Sequence, residues 1–175
     1  MKLDAVLRRF ALPGVVVSLY YLLRYRCYIS PRAEVEIAPD LRIGPGVRIS
    51  SYTKVKSGGG PLTIGAHTSI TTGCSLSTGA RGVEIGEHCL IGPNAVILGS
   101  NYQYGDVAKR FDEQEMVSKG VRIGDNVWVG AGAIVLDGST LGSGVIVTPN
   151  SVVSGKIPAN TIVQGNPGKV VFERR

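Results

Sequence analysis

The sequence predicts an all-β solenoid, a parallel β-helix of hexapeptide repeats carrying a short N-terminal helical segment and one long protruding loop. Three observations predict it. Isoleucine, leucine or valine recurs every sixth residue, in register across separate blocks: Ile37, Ile43, Ile49 and Val55; Ile64, Ile70 and Leu76; Ile85, Ile91 and Ile97; then Ile123 and every sixth residue to Val153. Four residues after most of these stands a small one, such as Val47, Thr53, Thr68, Cys74, Ala80, Cys89, Ala95 or Ala133. Glycine usually follows the aliphatic residue directly, as in Ile43-Gly44, Ile85-Gly86 and Val129-Gly130. A period of six fits neither a helix face nor strand alternation, so it belongs to a coil whose sides repeat.

Three six-residue sides make one triangular turn. The aliphatic residue fills the narrow interior, the small one packs at a corner, and glycine is expected to supply unusual dihedrals beside that corner. Turns stack at strand spacing, so about six turns make a prism about 30 Å long. Each turn buries only against its neighbours, and the open ends need caps.

The chain divides into a basic apolar segment at 1–32, the coil at 33–170 with its loop at 103–122, and a basic tail at 171–175. In the first segment Lys2, Arg8, Arg9, Arg24, Arg26 and Arg32 against Asp4 give +5 of the whole chain's +6. Phe10 to Leu23 is mostly apolar but broken by Pro13-Gly14, and it is shorter than the roughly 20 residues a spanning helix needs. No small-residue cleavage pattern follows it. It reads either as a helix capping the coil or as a segment resting on an anionic membrane surface. Within the coil, 18 residues return the chain to one edge, as from Ile123 to Leu141, whereas Ile43 to Ile64 and Ile64 to Ile85 take 21 and Ile85 to Ile123 takes 38. Each surplus falls just before an Ile-Gly, so the loops share one corner, and a solenoid with its loops on one edge has a working edge.

The length of 175 residues suits one domain. The three cysteines form no disulfide framework: Cys74 and Cys89 occupy interior slots and Cys27 lies outside the repeat. This usage points to a reducing compartment, the cytoplasm, with the inner face of the membrane as a station for the basic segment. Two histidines, His67 and His88, fall short of the three ligands a zinc site on such a coil needs, so no metal is expected. They stack on adjacent turns at one corner, with Asn126 next.

Ile123-Gly124-Asp125-Asn126-Val127-Trp128-Val129-Gly130-Ala131-Gly132-Ala133, followed by Ile157-Pro158-Ala159-Asn160 and Gly165-Asn166-Pro167-Gly168-Lys169-Val170, resembles the hexapeptide acyltransferases, nearest to the sugar and polysaccharide O-acetyltransferases of the maltose and galactoside acetyltransferase group. The resemblance runs from about Ile37 to Val170. It implies a left-handed coil, a homotrimer, and acetyl-CoA as co-substrate in the groove between subunits. It also implies that Trp128 lines the channel for the acyl-pantetheine, that Ala131 contacts the thioester region through its backbone, and that Pro149 and Ser154 follow the pantetheine arm. Lys169, with Arg174 and Arg175 behind it, stands where the family places cations for the cofactor's phosphates, which want fixed positive charge.

One position departs from the family. A histidine at the mouth of the long loop takes the proton of the attacking hydroxyl in these enzymes, and here that position is Tyr102. Phenols in general titrate near 10, so a tyrosine serves there only with a neighbouring cation, or by orienting the sugar. Asn101, in a slot otherwise kept for small inward residues, is the candidate to position Tyr102 or the acceptor. Asp106 is the candidate to orient an acceptor hydroxyl. His88 lies about four residues around the coil, up to about 13 Å away at strand rise, and reaches the site only from a neighbouring subunit. Two functions are therefore expected as alternatives: an O-acetyltransferase acting on a surface polysaccharide or its lipid-linked precursor, or a degenerate scaffold that binds a glycan. Neither involves nucleic acid.

Overall fold

The computed structural model describes residues 12–57 and 59–175; Lys2, Asp4, Arg8, Arg9 and Phe10 lie outside them. The hexads form a parallel coil with three faces. The Trp128 face stacks Tyr28–Ile29, Arg48–Ile49, Ser69–Ile70, Leu90–Ile91, Trp128–Val129, Ile146–Val147 and Thr161–Gln164. The Leu98 face runs from Glu34–Val35 through Val96–Gly99 to Val152–Val153, and the Arg122 face from Leu41–Ile43 through Val121–Ile123 to Lys156–Ile157. The spacings of 21, 38 and 18 appear as register, because Ile43 pairs with Ile64, Ile64 with Ile85, Ile85 with Ile123 and Ile123 with Leu141.

The aliphatic residues of the repeat are buried almost throughout, and so are the small ones that follow them. The small slot has a second use. Thr68 Oγ1 donates to Gly86 O at 2.8 Å, Cys74 Sγ to Gly92 O at 3.1 Å and Cys89 Sγ to Gly124 O at 3.1 Å, so hydroxyls and thiols tie each corner to the next turn. Ala80 is the exception and is exposed. Cys27 does not lie outside the repeat. The coil begins at Tyr28, not at residue 33, because Tyr28 pairs with Arg48, and Cys27 fills the first small slot, its thiol donating to Gly44 O at 3.0 Å. All three thiols are free and buried, and desolvation pushes each above the usual thiol range.

The glycine after the aliphatic residue has a different cause from the one expected. Gly44, Gly65, Gly86, Gly92, Gly124, Gly130 and Gly142 are not in the left-handed region. That conformation falls two residues later, at Gly46, His67, His88, Asn94, Asn126, Gly132 and Gly144. What excludes a side chain after the aliphatic residue is the next turn: a Cβ on Gly130 would stand 2.6 Å from Pro149 N, and one on Gly92 would stand 2.7 Å from Ala131 N. Gly130→Ala is expected to destabilise by about 1–3 kcal/mol through overpacking, lowering the melting temperature by about 2–10 °C, as a thermal melt followed by circular dichroism will show.

Helix α1, Gly14–Tyr25, lies over the first turn. Val17 and Tyr21 are buried against it, and Tyr21 donates to Glu36 O at 2.8 Å. The helix ends at Arg26, in the left-handed conformation with its N–H on Leu22 O, and the chain passes directly into the first strand. Among the described residues no helix is long and apolar enough to cross a membrane. At the other end the tail is no free appendage: Lys169–Glu173 folds back antiparallel on Thr161–Gln164 and covers the last turn.

Candidate functional site

The long insertion leaves the coil after Gly99 and re-enters at Val121, so the excursion begins a few residues before the expected Gln103 and closes before Arg122. It is an arm. Asn101–Tyr102 pairs antiparallel with Met116–Val117, and a single 3-10 turn at Phe111–Glu113 lies between them. Ser118 clamps the return, its Oγ donating to Gly99 O at 2.7 Å and accepting from Arg81 N at 3.0 Å. Asp137 accepts from the N–H groups of Lys119, at 2.9 Å, and Gly120, at 2.8 Å. Neither clamp was anticipated from the sequence, because neither follows the hexad.

On this arm Tyr102 is about half exposed, 48%, with its ring on the ribbon. Asn101 is not in an interior slot. It is exposed, and its Oδ1 accepts from Tyr102 N at 2.9 Å; the hexad spacing continues past Gly99, but the chain has already left the coil there to pair with Met116–Val117. Asp106 is committed to the arm's own frame, with Oδ1 accepting from Ala108 N at 3.1 Å, Oδ2 paired with Lys109 at 3.3 Å, and its backbone joined to Gln114. Tyr104, Val107 and Phe111 stand in solvent beyond it.

His67 and His88 do stack, with ring centroids 5.1 Å apart and planes 16° apart. They occupy the corner between the Arg122 and Trp128 faces, in a column that runs Arg26, Gly46, His67, His88, Asn126, Gly144, Asn160. The arm leaves from the corner between the Leu98 and Arg122 faces, so the whole Arg122 face separates His88 from Tyr102 within one chain. Among the described residues no cluster of three or more metal-binding side chains forms.

The residues matched to the cofactor channel divide between edges. Trp128, 49% exposed, projects from its face between Leu90 and Ile146. Ala131 and Pro149 follow at the next corner on adjacent turns, with Asn150 N donating to Ala131 O at 2.9 Å. Lys169 lies beyond them on the same edge, opposite Gln164, where Gly168 N donates to Val152 O at 2.7 Å. These four form one continuous strip. Ser154 stands at the far end of the Leu98 face, at the arm's corner. Arg174 is at the opposite edge of the Trp128 face from Lys169, in the histidine column, and its guanidinium donates to Gly144 O at 2.6 Å. It closes the coil's end and does not cluster with Lys169.

The three outward surfaces differ in kind. Arg42, Thr63, Glu84, Arg122, Thr140 and Lys156 make the Arg122 face polar. On the Trp128 face Arg48 and Ser69 in the early turns give way to Leu90, Trp128, Ile146 and Ile162, and on the Leu98 face Glu34, Lys54 and Ser75 give way to Val96, Leu98, Ile134 and Val152.

Family models match this repeat: "Bacterial transferase hexapeptide (six repeats)" at residues 120–155 and "Hexapeptide repeat of succinyl-transferase" at residues 82–100. The chain is 28% identical to the putative lipopolysaccharide biosynthesis O-acetyl transferase WbbJ of Escherichia coli over 86% of this chain and 77% of that one. Among solved structures it superimposes on the hexapeptide-repeat acetyltransferase VCA0836 of Vibrio cholerae, complexed with acetyl-CoA, with a TM-score of 0.63 at 24% identity, covering 98% and 83% of the two chains. It superimposes on AntD, an N-acyltransferase of Bacillus cereus in complex with dTDP and 3-hydroxybutyryl-CoA, with a TM-score of 0.76 at 20% identity, covering 86% and 81%. At those identities the two structures speak for the coil. With the matched repeats and the O-acetyltransferase relative beside them, the chain is a hexapeptide-repeat coil similar to the hexapeptide acyltransferases.

Proposed function

We propose that the protein is an acetyl-CoA-dependent O-acetyltransferase that acylates a sugar hydroxyl of a surface polysaccharide or its lipid-linked precursor, working as a homotrimer. The observation that carries the proposal is the strip formed by Trp128, Ala131, Pro149 and Lys169. It offers an aromatic wall, backbone groups at a corner and an exposed cation in a line, which suits a long ligand with a thioester at one end and phosphates at the other. The arm bearing Tyr102 leaves from a different corner. A second copy, placed with its arm corner toward this strip, brings the two halves together, and a threefold ring repeats that contact and closes it. The apolar later turns of the Trp128 and Leu98 faces beside one polar face suit such an arrangement, because apolar patches of this kind mark association surfaces. The exposed Tyr104, Val107 and Phe111 give the arm apolar groups to lay on a neighbour.

In the transfer the sugar oxygen attacks the thioester carbonyl, the C–S bond breaks as the C–O ester bond forms, and the thiolate leaves as coenzyme A. The hydroxyl proton passes to a base at the mouth of the arm and from it to the departing sulfur, a route a tyrosine can serve only as its phenolate. Tyr102 stands there, with Asn101 setting its backbone. The strip holds the pantetheine and the phosphates; the arm orients the acceptor.

Sedimentation and calorimetry on the full chain test this. A trimer that binds coenzyme A and passes labelled acetyl to a glycan is the expected result. A monomer would remove the composite site, and a folded trimer that binds no coenzyme A would leave only a scaffold.

A further inference from the structure

Helix α1 faces the wrong way for a simple cap. Its buried side is small, made by Val17 and Tyr21, with Gly14, Ser18 and Tyr25 half-buried beside them. The side turned to solvent is the more apolar one. Leu12, Val15, Val16, Leu19, Leu22 and Leu23 recur at helical spacing and form a continuous stripe just before and along the helix; Leu23 is 76% exposed, Val15 64% and Leu19 52%. No charged residue interrupts it. A stripe of this kind left in water marks a contact surface.

The surrounding charge says what covers it. Arg24 and Arg26 are exposed at the helix's C-terminal end, and Arg32 is exposed beside its N-terminal end, where Pro31 lies against Gly14. In the sequence no aspartate or glutamate occurs between Asp4 and Glu34, and residues 1–32 carry a net +5. Tyr20 and Tyr28, both exposed, flank the stripe with rings that carry a polar tip, the residue type that settles at membrane–water boundaries. Pairing two copies through the stripe would bring two such basic segments together, and the acids beside the helix, Glu34 and Glu36, stand near its N-terminal end and already face Lys54 and Ser57. An anionic lipid surface accepts both the apolar stripe and the arginines. The twelve residues of the helix extend about 18 Å, against about 30 Å of hydrocarbon, so the helix lies along the surface, sunk about 5–10 Å.

We infer that α1 is an interfacial helix that docks the N-terminal end of the coil on an anionic phospholipid bilayer, with the coil itself as the helix's polar side. The stripe makes the contact and the arginines select the headgroups. This surface is separate from the strip and the arm, and its test reads no acetyl transfer, so the two proposals stand or fall independently.

The test is flotation of the full chain with vesicles of phosphatidylcholine alone, or of phosphatidylcholine with one quarter phosphatidylglycerol. Binding to the anionic vesicles should be about tenfold stronger or more, and should fall sharply at about 0.5 M salt, where charges are screened within a few ångströms. Leu19→Glu with Leu23→Glu should lower it by about tenfold or more, since each leucine loses its burial, while sedimentation mass and coenzyme A binding match the unmodified chain. Should that double variant misfold, Leu23→Ser at the most exposed position gives the same reading with less disturbance. Arg24→Gln with Arg32→Gln should erase the preference for anionic vesicles and leave the mass unchanged. Absence of binding to anionic vesicles overturns the inference. So does a leucine variant whose oligomer dissociates, because the stripe would then lie between copies of the chain.

Discussion

Tyr102→Phe is expected to lower acetyl transfer by about 100-fold or more, the usual contribution of a positioned base, with coenzyme A affinity unchanged. The ring is carried by the ribbon that pairs Asn101–Tyr102 with Met116–Val117, and the phenol oxygen makes no hydrogen bond among the described residues. Phenylalanine therefore removes the reacting group and leaves the arm standing. Tyr102→His is expected to match or exceed the unmodified rate at neutral pH, because imidazole titrates near 6.5. His88→Ala should be nearly silent, since the histidine column belongs to another corner. Rates of acetyl transfer at several pH values, with calorimetry of coenzyme A for each variant, check all three. If His88→Ala is the dead variant and Tyr102→Phe the silent one, the base comes from a neighbour's His88 column. If both turn over normally, neither residue takes the proton and the mechanism fails.

Trp128→Ala is expected to weaken coenzyme A binding by about 30-fold or more, the size of effect seen when a well-placed tryptophan is truncated at about 2 kcal/mol. The side chain is about half exposed in the single chain, between Leu90 and Ile146, so its loss opens no cavity in the coil and the melting temperature should barely move. Lys169→Ala should cost less, about tenfold or below, and the difference should shrink as salt rises, because the ammonium is exposed and screened. Arg174→Ala should behave in the opposite way, lowering the melting temperature with little effect on coenzyme A, because its guanidinium is spent on Gly144 O at the end of the coil. Titration calorimetry beside thermal melts separates the three. Trp128→Ala with unchanged coenzyme A affinity would take the strip out of the cofactor site.

The coil was legible in the sequence because every turn imposes the same demands at the same interval. Ile43, Ile64, Ile85, Ile123 and Leu141 stack as their spacing implies, and the surpluses of three and twenty residues return the chain to one corner as counted. The interior slots, the histidine stack and the common edge of the loops follow from that arithmetic alone. So does the family likeness, since the motif around Trp128 is itself a stretch of repeats.

What the repeat does not govern was misplaced or invisible. Cys27 read as lying outside the coil because the first turn starts before the aliphatic pattern becomes regular. Asn101 read as interior because hexads were counted into a segment that had already peeled away to pair with Met116–Val117. The glycines after the aliphatic residues read as dihedral specialists, whereas the approach of the next turn's backbone is what excludes a side chain from Gly92 and Gly130. Arg174 read as a phosphate ligand because the hairpin that carries it to Gly144 is closed by pairing across the tail. By itself the sequence determined the periodic part of this protein, where each residue's surroundings are set by neighbours at fixed offsets. The tertiary structure alone decided the arm, the ends, and which face of α1 is turned outward, because those depend on contacts between segments that no interval in the chain relates.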